Sequence, residues 1–205
     1  MPRHSATVRK FRPMLVPPRP LHVDSPGVLR TLRLALRPLT SRDRKEFIRV
    51  LELDAAHLAP LKFRRDGETA ADLFERQLIL TEEGERTGRA WRRAAFLADG
   101  RLVGCFNLGE ITRGLCFTGL ASWWVSPDLT GRGYATEGVR ALVDHATTDL
   151  PFGIGLHTVR AHIQAGNTPS RSLAARIGMK RLPNTVQISG PQGWEAHEVW
   201  EISVQ

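Results

Sequence analysis

The residues best suited to chemistry lie in one run, Asp128-Leu129-Thr130-Gly131-Arg132-Gly133-Tyr134-Ala135-Thr136-Glu137. A strand-like apolar stretch, Ala121 to Val125, comes before it. After it, Val139, Leu142, Val143 and Ala146 recur at helical spacing. Glycines allow the backbone to turn tightly there and aim successive N–H groups at one point. Those unpaired donors, with the positive end of the helix dipole, favour an anion, and a pyrophosphate is the natural guest. Two familiar phosphate loops are excluded. No Gly-Lys-Ser/Thr triplet closes the run, and the position where a dinucleotide fingerprint has its third glycine holds Thr136. A glycine turn that merely joins strand to helix is the structural alternative.

The elements that must position this loop follow from periodicity. Leu32, Leu34 and Leu36 alternate with polar or small residues, the signature of a strand with one buried face. Thr40-x-x-Asp43 and Thr69-x-x-Asp72 each offer a capping box ahead of helically spaced apolar residues, Phe47, Ile48 and Leu51 after the first and Leu73, Phe74 and Leu78 after the second. Asp99-Gly100 marks a hairpin between two apolar runs. Val159, Ala161 and Ile163 alternate as a strand, Thr168-Pro169 starts a helix with Thr168 as its cap, and Gly178 ends it. A last hairpin turns at Gly190 to Gly193. The order β-αα-βββ-α-β-α-ββ describes one α/β (α+β) domain over residues 28–205.

Residues 1–27 differ in character. Six of the thirteen prolines fall in the first 26 positions, and Arg3, Arg9, Lys10, Arg12 and Arg19 stand there without an acid through residue 23. The segment reads as a flexible basic arm. It accounts for +5 of the net +8, so the remaining 24 basic and 21 acidic residues are nearly balanced. Anion preference in the domain is therefore local, with Arg132 at the loop and Arg171 beyond Asn167 as the cations expected to face it. Cys105 and Cys116, eleven apart, fit neither a disulfide framework nor a zinc finger and read as small buried residues of a reducing cytoplasm. No run reaches the ~18 apolar residues of a membrane span, and the first 25 residues lack the apolar core of a signal peptide.

Trp123-Trp124-Val125-x-Pro127-x-x-x-Gly131-Arg132-Gly133-Tyr134-Ala135-Thr136-Glu137, followed by Asn167-x-x-Ser170-x-x-Leu173-x-x-x-x-Gly178-Met179, resembles the GNAT acyltransferases. Within them it is most similar to the RimJ/RimL type, which acetylate the amino termini of ribosomal proteins. The likeness runs from residue 30 to the closing Trp194-x-x-His197 hairpin. It implies a mixed central sheet flanked by helices, and acetyl-CoA as cosubstrate with no metal. The cofactor-binding residues it implies are Trp124, Val125, Thr130, Gly131, Arg132, Gly133, Tyr134, Ala135, Thr136 and Asn167. Thr130 stands where many relatives carry Arg or Gln, so one side-chain phosphate contact is missing.

The resemblance also implies direct attack of a primary amine on the thioester. The tyrosine that many relatives use as proton donor is replaced by Ala174, and the strand glutamate by Leu120. Ser170 is then the expected acid and Glu110 the expected base. Glu137 reads as a first-turn helix residue, His145 as an exposed helix residue, and His157 and His162 as strand residues, with His197 better placed near the acceptor. A weak base suits an α-amine, whose pKa of about 7.7–8.0 leaves roughly a tenth neutral at pH 7, better than a lysine at about 10.4. The expected acceptor is a protein N-terminus, in a monomer or homodimer, and the arm is either a leader with no role or a basic docking arm for ribosome contact. A small amine acceptor and a CoA-binding module without turnover are the alternatives.

Overall fold

The computed structural model describes residues 27–53, 67–190 and 193–204. The basic arm through residue 26, and with it the expected ribosome contact, lies outside the described residues. Twelve elements follow: β1 (Leu29–Arg30), β2 (Ala35–Arg37), α1 (Arg44–Leu53), α2 (Ala70–Thr87), β3 (Trp91–Phe96), β4 (Leu102–Thr112), β5 (Thr118–Val125), α3 (Tyr134–Thr147), β6 (Thr158–Gln164), α4 (Thr168–Arg176), β7 (Lys180–Gly190) and β8 (Gly193–Ser203). They form one mixed sheet in the order β1-β2-β3-β4-β5-β6-β8-β7, flanked by helices.

The capping boxes act as the sequence requires. The Asp72 carboxylate accepts from the Thr69 amide at 3.0 Å, while the Asp72 amide donates to the Thr69 hydroxyl at 3.1 Å. Asp43 reaches back to the Thr40 amide at 2.8 Å and is held by both terminal nitrogens of Arg37 at 2.7 Å. These two helices cover one sheet face through Phe47, Leu51, Leu73 and Phe74, which pack on Ala94, Cys105 and Trp124. On the other face, Val139, Leu142 and Ala146 of α3 pack on Leu36, Phe106 and Val159. Gly138 permits the close approach of α3, because a Cβ there would meet the Phe106 ring at 2.4 Å.

One joint in the sheet matters most. Every neighbouring pair is antiparallel except β5 and β6, which pair in parallel only over Thr118↔Thr158, Gly119↔Val159 and Leu120↔Arg160. Beyond that point β5 stays on β4 as far as Val125, and β6 stays on β8 as far as Gln164. The two strands therefore part. The edge of β5 facing the gap has backbone donors and acceptors with no ladder partner, which must be satisfied by something else.

The structure corrects four local expectations. Leu32 is 94% exposed, because the chain turns between Thr31 and Leu34, where the Thr31 amide donates to the Leu34 carbonyl at 2.9 Å; the strand starts only at Ala35. A two-residue strand, β1, precedes it. Cys116 is exposed, whereas Cys105 is buried and its thiol is pushed up to about 12 by burial. The cap of α4 is Asn167 rather than Thr168, since its side-chain oxygen accepts from the Ser170 amide at 3.1 Å. His145 is largely buried, stacked 4.8 Å from Trp91, and burial lowers its pKa to about 4.

Candidate active site

The site begins where β5 ends. Gly131 and Gly133 take φ of 73° and 81°, the left-handed region that L side chains avoid. The turn delivers the chain into α3 with Gly133 as its cap, and no side chain caps that end. The first intrahelical bond there runs from the Glu137 amide to the Gly133 carbonyl at 3.1 Å. The amides of the first turn before Glu137 lack intrahelical acceptors by helix geometry. They open onto a cleft of about 910 Å³ lined by Trp124, Val125, Thr130, Gly131, Gly133, Tyr134, Ala135, Thr136, Asn167 and Ser170.

A network anchored in β1–β2 holds the loop rigid. The Glu137 carboxylate accepts from the Thr31 hydroxyl at 2.6 Å, the Arg33 amide at 2.9 Å and Arg33 Nε at 2.7 Å. Burial alone would push that carboxyl up; these donors outweigh it and hold the pKa below the usual carboxylate range. Arg33 also donates to the Arg132 carbonyl at 3.0 Å and lies 4.4 Å from the centre of the Tyr134 ring. Glu137 is thus a first-turn residue as expected, although its partners belong to another element.

A second cleft, of about 520 Å³, opens on the α1–α2 face. A polar row crosses its floor: Arg92 pairs in register with Asn107, and Asn107 with Ser122. Beyond the gap stand His162 and Gln164 of β6, then His197 of β8, which pairs with Gln164. Trp123, Trp124, Gln164, Asn167 and Ser170 line both clefts. The two spaces, on opposite faces of the sheet, meet at the gap between β5 and β6.

Two cavities joined through a splayed pair of strands, one with an anion-ready helix start, suit a reaction between a phosphate-bearing donor and a separate acceptor. Residues 33–180 match the acetyltransferase (GNAT) domain model. The chain belongs to the GNAT acetyltransferase family. Among relatives, the probable N-acetyltransferase YjcK of Bacillus subtilis is 31% identical over 108 residues, 51% of this chain and 56% of that protein. The match therefore spans little more than half the length of that relative. Two solved structures share the fold. Mycobacterium smegmatis RimJ in complex with CoA-disulfide superposes with a TM-score of 0.71, at 24% identity over 87% of this chain and 85% of that one. Vibrio cholerae spermidine N-acetyltransferase in complex with CoA and spermine gives 0.66, at 19% identity over 84% and 96%.

For a GNAT domain, the donor set suits acetyl-CoA: backbone amides at the loop, free strand edge at the gap, and an apolar wall from Trp124 to Leu173. Of the residues expected to bind the cofactor, all but Arg132 line the larger cleft. The Thr130 hydroxyl there donates to the Pro127 carbonyl at 3.0 Å. Arg171 is turned elsewhere, to Glu198 at 3.0 Å, in a network with Trp200 that ties α4 to β8. The cation at the cleft is instead Arg176, whose Nη1 donates to the Thr136 hydroxyl at 3.3 Å. A basic residue in the last turn of a helix is too common a feature to have singled it out.

Ser170 lines both clefts where they meet. Glu110 does not line either cleft; it is exposed at a bulge of β4, with φ 49°. Its charge acts on His162, whose pKa is lowered by burial against the opposing pull of Glu110, with His197 and Arg160 adding to the lowering. His162 lines the smaller cleft, and burial shifts its imidazole toward the neutral form. Its alternation in β6 revealed only a strand; the cleft is visible once β6 is known to part from β5. Ala174 is wholly buried in the core, which leaves the tyrosine position of relatives without a substitute.

Proposed function

We propose that this chain is an acetyl-CoA-dependent N-acetyltransferase whose acceptor is the α-amine of a protein N-terminus. The observation that carries this reading is the meeting of the two clefts at Asn167 and Ser170. Bound there, acetyl-CoA supplies an electrophilic thioester carbonyl. The amides from Gly131 to Thr136 hold the pyrophosphate, aided by the dipole of α3. The unpaired edge of β5 at Trp124 and Val125 receives the pantetheine amides, and a backbone N–H near Val125 polarises the carbonyl.

His162 accepts the proton of the incoming amine through its neutral ring, and the Ser170 hydroxyl donates a hydrogen bond to the departing sulfur. Glu110 acts on that imidazole through its charge rather than by contact with the acceptor. So modest a base matches an α-amine, part of which is already neutral at pH 7.

The acceptor cleft carries Arg76 and Arg92 and is lined by no aspartate or glutamate among the described residues. That lining repels a polyamine, whose several positive charges need carboxylates. Incubating the protein with acetyl-CoA and a panel of peptides, spermidine and lysine, with release of free CoA as readout, tests the proposal. Release with free-amine peptides is the expected result. Release only with spermidine would transfer the protein to the small-amine class, and no release at all would leave it a CoA-binding module.

A further inference from the structure

The acceptor cleft contains a charged group that the reaction just described does not use. Arg92 lines the cleft, half-buried, and its Nε is enclosed without a hydrogen-bond partner among the described residues. Burial lowers the guanidinium pKa; the nearby Cys105 opposes this and Arg76 adds to it. The Cys105 thiol stays neutral at pH 7, so it supplies no counter-charge. The neighbouring cation, Arg76, is already answered by Glu68 at 2.6 and 2.8 Å. The other titratable groups on the floor are His162 and His197, neither of them acidic. A half-buried guanidinium that lines a cleft and whose enclosed Nε finds no acceptor among the described residues is costly unless an anion in the cleft meets its terminal nitrogens.

The position of Arg92 bounds what that anion is attached to. Arg92, Asn107 and Ser122 stand in register on three consecutive strands, and Ser122 borders the gap where the acceptor amine must sit. Two inter-strand steps separate Arg92 from Ser122 by about 10 Å. An extended peptide covers that distance in about three residues. Resting on the α-amine acceptor proposed above, we infer that Arg92 is a specificity residue that pairs with an acidic side chain within the first four residues of the acceptor. A guanidinium fork binds a carboxylate through two parallel N–H···O bonds, which gives direction as well as attraction.

The test compares N-terminal peptides identical except for glutamate, glutamine or lysine at positions two, three and four, with wild-type protein and with Arg92→Gln and Arg92→Lys. In the wild type, kcat/KM is expected to be at least about tenfold higher for the best-placed glutamate than for its glutamine twin, the scale of a charge-assisted hydrogen bond. The preference should weaken as salt rises. Arg92→Gln should bring the ratio near one, and Arg92→Lys should leave an intermediate ratio, retaining the charge but not the fork. Because the readout is a ratio within one protein, partial loss of folded enzyme does not move it. Equal wild-type rates on glutamate and glutamine peptides, or an undiminished ratio in Arg92→Gln, overturns the inference while peptide acetylation itself stands. Failure of every peptide alongside turnover of spermidine would instead overturn the function proposed above.

Discussion

Arg33 and Glu137, 104 residues apart, form a salt bridge of 2.6 Å that fixes the glycine loop from outside the larger cleft. Thr31 adds a 2.6 Å hydrogen bond to the same carboxylate, and Arg33 also holds the carbonyl of Arg132. The loop's amides are thereby aimed before any ligand arrives. Glu137 is a positioning residue, since it does not line the cleft. Glu137→Gln should raise KM for acetyl-CoA about three- to tenfold with little change in kcat, as steady-state kinetics would measure. An equal fall in kcat at unchanged KM would be inconsistent with that role.

The same loop depends on its glycines. Gly133 has φ 81°, and a Cβ there would come within 3.4 Å of Arg33 Nη2. Gly133→Ala should destabilise the fold by about 1–2 kcal/mol, the cost of a left-handed conformation for an L residue. Gly133→Glu additionally sets a negative charge beside phosphate, so calorimetric titration with CoA should show no binding. Retention of native affinity in Gly133→Glu would contradict the proposed cofactor site.

Ser170 stands where the clefts meet, with its amide engaged by Asn167 and its side chain at the junction. Ser170→Ala should lower kcat about ten- to hundredfold, the scale of one lost hydrogen bond to a developing thiolate. CoA affinity should change little, because the loop and strand edge supply most of the binding. Full turnover in this variant would remove Ser170 from the chemistry.

His145 gives a pH signature separate from activity. Its pKa falls from 6.5 to about 4, chiefly through burial and secondarily through Arg93. The unfolded chain therefore binds this proton more readily than the folded one. Stability should be complete above about pH 6.5 and decline as the pH falls toward 4. His145→Gln should flatten that part of the unfolding midpoint against pH. An unchanged slope would mean that other groups govern it.

Much of this was legible in the chain because it is local. Capping boxes at Thr40 and Thr69, the Asp99-Gly100 hairpin and the glycine loop each signal themselves within a few residues. What the sequence concealed depends on distant pairing. Leu32 alternates correctly with Leu34 and Leu36, yet a turn at Thr31 puts it in water, since three alternating leucines cannot tell a strand from its approach. His145 reads as exposed until the segment after α3 folds back, where the Ile154 amide donates to the His145 carbonyl at 3.0 Å. Arg92, His162 and His197 come from three separate strands, and only the sheet order and the parting of β5 from β6 assemble them in one cleft. Glu110 reads as close to the chemistry from its place near a strand end, yet it is exposed at the bulge of β4.

The most direct measurement uses a peptide bearing one free α-amine and one internal lysine, incubated with the protein and acetyl-CoA and mapped by mass spectrometry. Acetylation confined to the α-amine, and faster than that of spermidine at equal concentration, is the expected result. Acetyl groups confined to the lysine, or to spermidine alone, would contradict the assignment of a protein N-terminus as acceptor.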